Sequence, residues 1–368
     1  MSETEDNERA DVGEPALFQR FSALGYRIPR VPLAGMPTPV QRLEFPRHSN
    51  LWVKRDDLSA PAYGGNKVRK LEFLIGDAMA RGARRLITVG AAGSHHALAT
   101  ALYGRELGLP VSLVLFPQPL TRHVRNVLLT DLSLGAELRW SPRMEAVPAA
   151  ALLARIAHRR DAPYVIPGGG SSAIGALGYV NAALELEDQV RRGEIPEPDT
   201  IHVAAGTLGT AAGLAVGLSL GGLAARVHAI RIASPLVTNQ RKLRRLIAGV
   251  CGILERHGVS VPAVREIEAR VELTHDAIGV GYGHSTASGA AAMEALAESG
   301  LIFDDTYTAK AAASMLARMR GAVGVQLYWH TLSAVEPELP DGANLRDLPS
   351  SFRRYLGHDT ELSNQATM

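Results

Sequence analysis

The sequence predicts a two-domain α/β fold, parallel sheets flanked by helices, and three observations predict it. Short β-rich runs recur along the chain: LWVKR at 51–55, RLITVGA at 85–91, VSLVLF at 111–116, YVIPGG at 164–169, TIHVAAG at 200–206 and RVHAIRIA at 226–233. Most end in glycine or proline and lead into long stretches of helical periodicity, as in KLEFLIGDAMARGA and ALATALYGRELGL. Finally, 368 residues, 46% hydrophobic with 36 glycines, are too many for one simple core and suit two.

In such sheets ligands bind where strands end and helices begin, so the loops there are the first places to search. Four stand out: AAGSHHA (91–97), PGGGSSAIGALG (167–178), AAGTLGTAAG (204–213) and GYGHST (281–286). The segment RRGEIPEPDT (191–200) reads as a polar connector between domains, and no repeat of fixed period is visible.

Charge and cysteine content narrow the partners. With 39 Lys and Arg against 37 Asp and Glu, the net charge of +2 gives no long-range field for nucleic acid or an anionic membrane, which leaves small molecules. Cys251 has no second thiol to pair with and sits in the apolar IAGVCGIL, so it reads as core in a reducing compartment, the cytoplasm. The acidic start MSETEDNERADVGE reads as a loose tail rather than a signal peptide. Val203–Ala225 carries no charge, but its Gly, Ala and Thr content predicts a buried strand, loop and helix rather than a membrane span.

The glycine-rich loops suggest an anion. In AAGTLGTAAG a strand ends, small residues let backbone approach, and the next helix offers N-terminal amides with the hydroxyls of Thr207 and Thr210, a cup suited to a terminal phosphate. The same residues would also serve tight packing alone. The loop does not fit GxxxxGK[ST], and no loop completes GxGxxG with a following acid, so neither a nucleoside triphosphate nor a dinucleotide site is supported.

GGNKVRKLEF (64–73) places Lys67 at the start of a helix, where the helix field disfavours a positive charge. Beside a phosphate cup such an amine suits attack on a carbonyl, and the aldehyde of pyridoxal 5'-phosphate is the natural partner.

Taken in order, PTPVQRL (37–43), LWVKRDDLS (51–59), GGNKVRKLEF (64–73), the loop Gly90–His96, GGGSSAIGALGY (168–179), AGTLGT (205–210), GYG (281–283), DDTYTAKA (304–311) and LYWHT (327–331) resemble the family of D-cysteine desulfhydrase and 1-aminocyclopropane-1-carboxylate deaminase. The resemblance covers about 37–331 and implies a pyridoxal-phosphate enzyme of the tryptophan-synthase-β type, fold type II. It implies that Lys67 carries the cofactor and later moves the substrate proton, with Asn66 beside it. It assigns the phosphate to Lys70 and to Ala205, Gly206, Thr207, Leu208, Gly209 and Thr210. Ser94 would bind the substrate carboxylate or assist proton transfer with His96 beside it, Tyr282 and Tyr307 would flank the reacting carbons, and Thr308 would face the pyridine nitrogen. Thr308 and Thr331 stand where the deaminases have Glu and Leu, as in the desulfhydrase-like branch, and a neutral hydroxyl suits β-elimination of a good leaving group better than ring opening.

Departures from the family matter too. Where its loop reads QSNH, this chain has Gly93-Ser94-His95-His96, so His95 replaces the amide expected at the cofactor's ring oxygen or the substrate carboxylate. The family's HTGG becomes His330-Thr331-Leu332-Ser333, placing Thr331 at the substrate and losing two glycines. D-Cysteine elimination to pyruvate, sulfide and ammonia is therefore the default activity. An altered substrate, β-replacement in a secondary pathway, cyclopropane deamination and a non-catalytic cofactor-binding role remain as alternatives.

No metal site is expected, since His95 and His96 are adjacent and lack a third ligand at useful spacing. Asp56 and Asp57 read as capping and salt-bridging residues with Arg55 or Lys54, and RKLRRL (241–246) as the solvated face of a helix. The resemblance implies a homodimer, with a large domain of 37–69 and 180–345, a small domain of 70–179 closing over substrate, an N-terminal tail and lead-in of 1–36, and a C-terminal tail of 346–368.

Overall fold

A computed structural model describes residues 13–45, 50–321, 323–336, 339 and 342–357. Ten strands form among them: β1 (Val40–Arg42), β2 (Leu51–Arg55), β3 (Leu86–Ala91), β4 (Val111–Phe116), β5 (Glu137–Trp140), β6 (Tyr164–Ile166), β7 (Thr200–Ala205), β8 (Arg226–Arg231), β9 (Val271–Thr274) and β10 (Gln326–His330). The helices are α1 (Ala16–Arg20), α2 (Ser22–Gly25), α3 (Asn66–Ala80), α4 (His95–Glu106), α5 (Arg122–Ser133), α6 (Val147–Ala157), α7 (Ala173–Arg191), α8 (Gly209–Gly221), α9 (Gln240–Arg256), α10 (Val264–Glu268), α11 (Ala287–Ala295), α12 (Thr308–Met319) and α13 (Ser350–Gly357).

The strands sort into two sheets. One has the order β1-β2-β10-β7-β8-β9, parallel except for the antiparallel edge pair β1–β2. The other, β5-β4-β3-β6, is wholly parallel. All six predicted runs are strands; the other four are β10 and β1, β5 and β9, the last three of only three or four residues each.

Small residues decide how closely the layers pack. A Cβ on Gly213 would stand 2.3 Å from the Ala176 carbonyl, and one on Gly217 would stand 2.6 Å from that of Val180, so only glycine lets α8 lie this close to α7. The uncharged stretch Val203–Ala225 is the end of β7, its loop and α8, as predicted, and no helix among the described residues is long and apolar enough to cross a membrane.

The predicted inter-domain connector lies elsewhere. Residues 191–200 join α7 to β7 within the elements around the six-stranded sheet, and Ile195 is buried there. The chain passes from one sheet to the other between β6 and α7, through Pro167–Ser172, because Gly169 (φ +66°) and Gly170 (φ +64°) supply the left-handed turn. Parts of both predicted tails are folded as well. Leu17, Phe18 and Leu24 of α1 and α2 enter the core of the six-stranded sheet, and Phe352 and Leu356 of α13 enter that of the four-stranded sheet, where Trp140 packs on Phe352. Residues 1–12 and 358–368 of those tails lie outside the described residues.

A dry ionic network fixes α3. Arg69 binds Asp56 at 2.8 Å and Glu185 at 2.9 Å, and Lys54 binds Glu185 at 2.6 Å. Tyr179 and the Trp329 indole donate to the remaining Asp56 oxygen at 2.6 and 2.7 Å. Asp57 pairs with Arg55 at 2.8 Å as predicted, whereas Asp56 takes Arg69 instead of a neighbour in sequence, because β2 turns its carboxylate inward under α3. Burial alone would raise Glu185, but Arg69 and Lys54 outweigh it and hold the carboxyl down at about 2.

Candidate active site

All four loops singled out in the sequence meet at one cavity of about 890 Å³ between the two sheets. Such a volume lies in the upper part of the range usual for cofactor and ligand sites.

Lys67 lies in the first turn of α3 and reaches this cavity, its Nζ donating to Asn66 Oδ1 at 2.5 Å and standing 5.8 Å from the centroid of the Tyr307 ring. Burial pulls its pKa down from the ordinary 10.5 to about 8, against a smaller opposing pull from Asp304. Asn66 also donates to Thr210 Oγ1 at 3.2 Å, tying the lysine's helix to the glycine-rich loop.

The loop itself has the features of an anion cup. Leu208 is left-handed (φ +71°) at the N-cap of α8, a conformation costly for a branched side chain and kept where surrounding structure imposes it. Gly206, Thr207, Leu208 and Thr210 line the cavity. Ala205 and Gly209 do not: the Ala205 side chain packs into the core of the six-stranded sheet, and the Gly209 N–H is spent on Ser171 Oγ at 3.1 Å. Ser171 also meets the Thr207 hydroxyl at 2.6 Å, so it braces the loop from beneath.

Two lysines share this end of the cavity. Lys70 donates to the Gly169 carbonyl at 3.2 Å, and burial, then the charges of Lys67 and Lys242, hold its pKa well below the ordinary value. Lys242, from the basic run read as solvated, lines the cavity while Arg241, Arg244 and Arg245 of the same helix are exposed. Neither lysine has a carboxylate partner among the described ion pairs. A cup with a strained loop, two hydroxyls and two lysines that lack a described carboxylate partner fits a dianionic phosphate, whose charge would favour their protonated forms. With the amine of Lys67 in the same cavity, these residues fit pyridoxal phosphate as a whole.

The other predicted residues gather around Lys67. Ser94 caps α4, its Oγ accepting from Ala97 N at 3.3 Å, and lines the cavity. His95 lies against Tyr63, the two joined at 2.6 Å through Nδ1. His96 also lines the cavity, but its Nε2 is hydrogen-bonded to Thr88 Oγ1 at 3.0 Å, so this ring also fastens α4 to the four-stranded sheet. Tyr282 and Tyr307 share a hydrogen bond between hydroxyls; burial pushes Tyr282 up to about 12 and Tyr307 well above its ordinary value, so both are neutral.

Thr308 sits in the wall, and its hydroxyl donates to Asp304 Oδ1 at 2.6 Å. The neutral hydroxyl expected there thus has a carboxylate behind it, which also accepts the N–H groups of Tyr307 and Thr308 and caps α12. Thr331 lines the cavity, and its carbonyl accepts from Asn66 N at 3.1 Å.

Ser333 explains one departure from the family. Its Oγ accepts from Gly64 N at 3.0 Å and donates to the Val335 carbonyl at 2.9 Å. Close backbone approach survives from the other side, since a Cβ on Gly65 (φ +82°) would stand 2.6 Å from the Thr331 carbonyl. The glycines of 64–65 therefore supply the room that 332–333 no longer does.

Comparison with known proteins agrees with the geometry. A family model described as "Pyridoxal-phosphate dependent enzyme" matches residues 31–326. The chain is 37% identical over 304 residues to a D-cysteine desulfhydrase of Klebsiella pneumoniae, covering 79% of this chain and 88% of the relative, and 36% identical over 304 residues to one of Salmonella paratyphi B. The crystal structure of an ACC deaminase homologue matches with a TM-score of 0.73 and 34% identity, covering 87% of this chain and 95% of that one. Threonine deaminase isoform 2 of Solanum lycopersicum, at 15% identity and a TM-score of 0.55, shares the fold. Since the family match runs from Val31 to Gln326, through both sheets and the anion cup, the chain belongs to the family of pyridoxal-phosphate-dependent enzymes.

Proposed function

We propose that the chain is an elimination lyase acting on a small amino acid, with D-cysteine, the substrate in its relatives' names, as the default and pyruvate, sulfide and ammonia as products. One observation carries the reading: Lys67 presents an amine whose pKa burial lowers to about 8, inside a cavity whose far end is built for phosphate. When bound, pyridoxal phosphate supplies an electron sink for negative charge on the substrate α-carbon.

The chain's own residues supply the rest. Lys67 Nζ would hold the cofactor and would take the substrate α-proton. Lys70, Thr207 and Thr210 hold the phosphate, with Gly206 and Leu208 giving backbone room and Asn66 aligning the amine. The hydroxyl of Ser94 and the imidazole of His95 bind the substrate carboxylate. Tyr282 and Tyr307 flank the reacting carbons, and because one hydroxyl donates to the other, the pair has one proton left to give to a leaving thiolate. Thr308 faces the ring nitrogen.

In this reading the elements of 70–179 would close over the substrate against those of 37–69 and 180–345, excluding water from the reacting carbons. The enzyme works as a homodimer in the cytoplasm, where a lone thiol such as Cys251 stays reduced. A second reading, β-replacement or an altered amino acid, is favoured by His95, an imidazole braced by Tyr63 where relatives carry an amide.

The test is a visible absorption spectrum of pyridoxal-phosphate-loaded protein, titrated with D-cysteine, L-cysteine, D-serine and 1-aminocyclopropane-1-carboxylate, with Lys67→Ala as control. Loss of the band in Lys67→Ala and release of sulfide and pyruvate from D-cysteine support the lyase. Amino-acid products formed only with an added thiol would establish replacement instead.

A further inference from the structure

His95 departs from its family in company. Its Nδ1 lies 2.6 Å from the Tyr63 hydroxyl, and its ring lies 4.7 Å from that of His123 on α5. Gly93 makes this crowding possible: a Cβ there would stand 2.9 Å from Gln118 Nε2, 3.0 Å from Val124 Cγ2 and 3.3 Å from His123 Cδ2. A side chain at 93 would thus crowd the ring that covers His95, while Tyr63 closes the arrangement from the loop before Lys67.

The hydrogen-bond inventory gives this cluster a direction. Tyr63 is 3% exposed, and among the described bonds its hydroxyl has His95 Nδ1 as its sole partner. If His95 Nδ1 carried the hydrogen, the Tyr63 O–H would be buried without an acceptor, at a cost of about 1–3 kcal/mol. Satisfying both groups requires Tyr63 to donate and Nδ1 to accept. Burial, followed by the charge of His123, pulls His95 down to about 3, so the ring is neutral and its one hydrogen is on Nε2. That atom has no described protein partner, and His95 lines the cavity with Lys67, Tyr307 and Asp304. The neighbouring His123 spends its own Nε2 on the Gly93 carbonyl at 3.1 Å and does not compete for this hydrogen.

We propose that Tyr63 is a positioning residue that locks His95 in its Nε2–H tautomer, and that this N–H is a donor to an oxyanion of the bound ligand, either the ring oxygen of the cofactor or the carboxylate of the amino acid. Without Tyr63 the ring could take the other tautomer and turn a lone pair toward that oxyanion, which repels it. The first half stands on the protein alone; the second rests on the pyridoxal-phosphate reading of the cavity.

Nitrogen NMR of full-length protein labelled with 15N-histidine, with and without pyridoxal phosphate, tests the first half independently of turnover. A pyridine-like Nδ1 and a protonated Nε2 at His95 are expected in the wild type, with the bias weakened in Tyr63→Phe; a protonated Nδ1 in the wild type would overturn the proposal even if no variant folds. A double-mutant cycle tests the second half, using dissociation constants for pyridoxal phosphate and for D-cysteine or D-serine. Tyr63→Phe should weaken one of them about 10-fold when residue 95 is His and leave it unchanged in a His95→Asn background, whose amide needs no tautomer. A loss confined to the cofactor identifies its ring oxygen as the acceptor, and one confined to the amino acid identifies the carboxylate. Equal losses in both backgrounds, or no loss in either, would refute the relay.

Discussion

Lys67 should announce its environment through the pH dependence of cofactor capture. Only the neutral amine attacks an aldehyde, so the capture rate follows its deprotonated fraction. An amine at the ordinary 10.5 is about 0.03% neutral at pH 7; one at about 8 is roughly 9% neutral, an advantage of about 300-fold that comes from burial. The perturbation is Asp304→Asn. Asp304 faces Lys67 and stabilises its charged form, so neutralising it removes that opposition to burial and must move the midpoint below 8. The amide keeps an oxygen for the hydroxyl and N–H of Thr308, while the N–H groups of Thr306 and Tyr307 lose the second carboxylate oxygen, so half of the helix cap survives. The assay is stopped-flow mixing of cofactor-free protein with excess pyridoxal phosphate from pH 6 to 10, following the visible band. Wild-type rates should rise tenfold per pH unit and level off near 8, and the variant should level off earlier. Rates that climb steadily to pH 10, or a midpoint that rises in Asp304→Asn, would refute the reasoning.

Four further outcomes follow from the same geometry. Lys70→Met should weaken pyridoxal phosphate by about 10- to 100-fold and Lys242→Met by less, with neither altering the affinity for pyridoxal, which lacks the phosphate; fluorescence titration of both compounds checks this. Arg69→Met leaves Asp56 and Glu185 buried without their shared cation and should cost about 3–5 kcal/mol in urea unfolding. Because Glu185 is held at about 2 in the folded chain, its contribution is complete above the ordinary carboxylate value of 4.5 and is lost as pH falls toward 2; that acid step in stability should vanish in Glu185→Gln. Gly209→Ala places a methyl 2.6 Å from Ser171 Oγ and 3.1 Å from its Cα, and should lower stability by about 1–3 kcal/mol and loosen the cofactor, seen in calorimetry of both forms.

The alternation of strands and helices and the four loops at strand ends were legible in the sequence because period and glycine placement are local signals. Lys67 was legible for the same reason, standing at a helix start behind two glycines. Residues whose roles depend on tertiary rotation were not. Lys242 shares a helix with Arg241, Arg244 and Arg245, and only the packing of α9 decides which cation turns inward. Tyr63 meets His95 across 32 positions, and Asp304 reaches Lys67 through space, so neither leaves a spacing to find. The partner of Asp56 was misjudged because a nearby cation in sequence is a poor guide once a carboxylate points into the core. Leu332 and Ser333 line the cavity, as the sequence suggested, and the second role of Ser333, bracing the loop before the lysine, left no signal there.

The central place of β10 has a consequence for how the enzyme comes into being. β2, which leads to Lys67, is paired in the sheet with β10, and Gly64 and Asn66 are held by Ser333 and Thr331, partners 269 and 265 residues further along. A nascent chain that has already made its lysine, its phosphate loop and most of both sheets still lacks the strand against which that lysine is set. The reactive amine is therefore assembled only after β10 has been made, and a product truncated before that strand would carry every element of the cofactor cup without the support that makes it a catalyst.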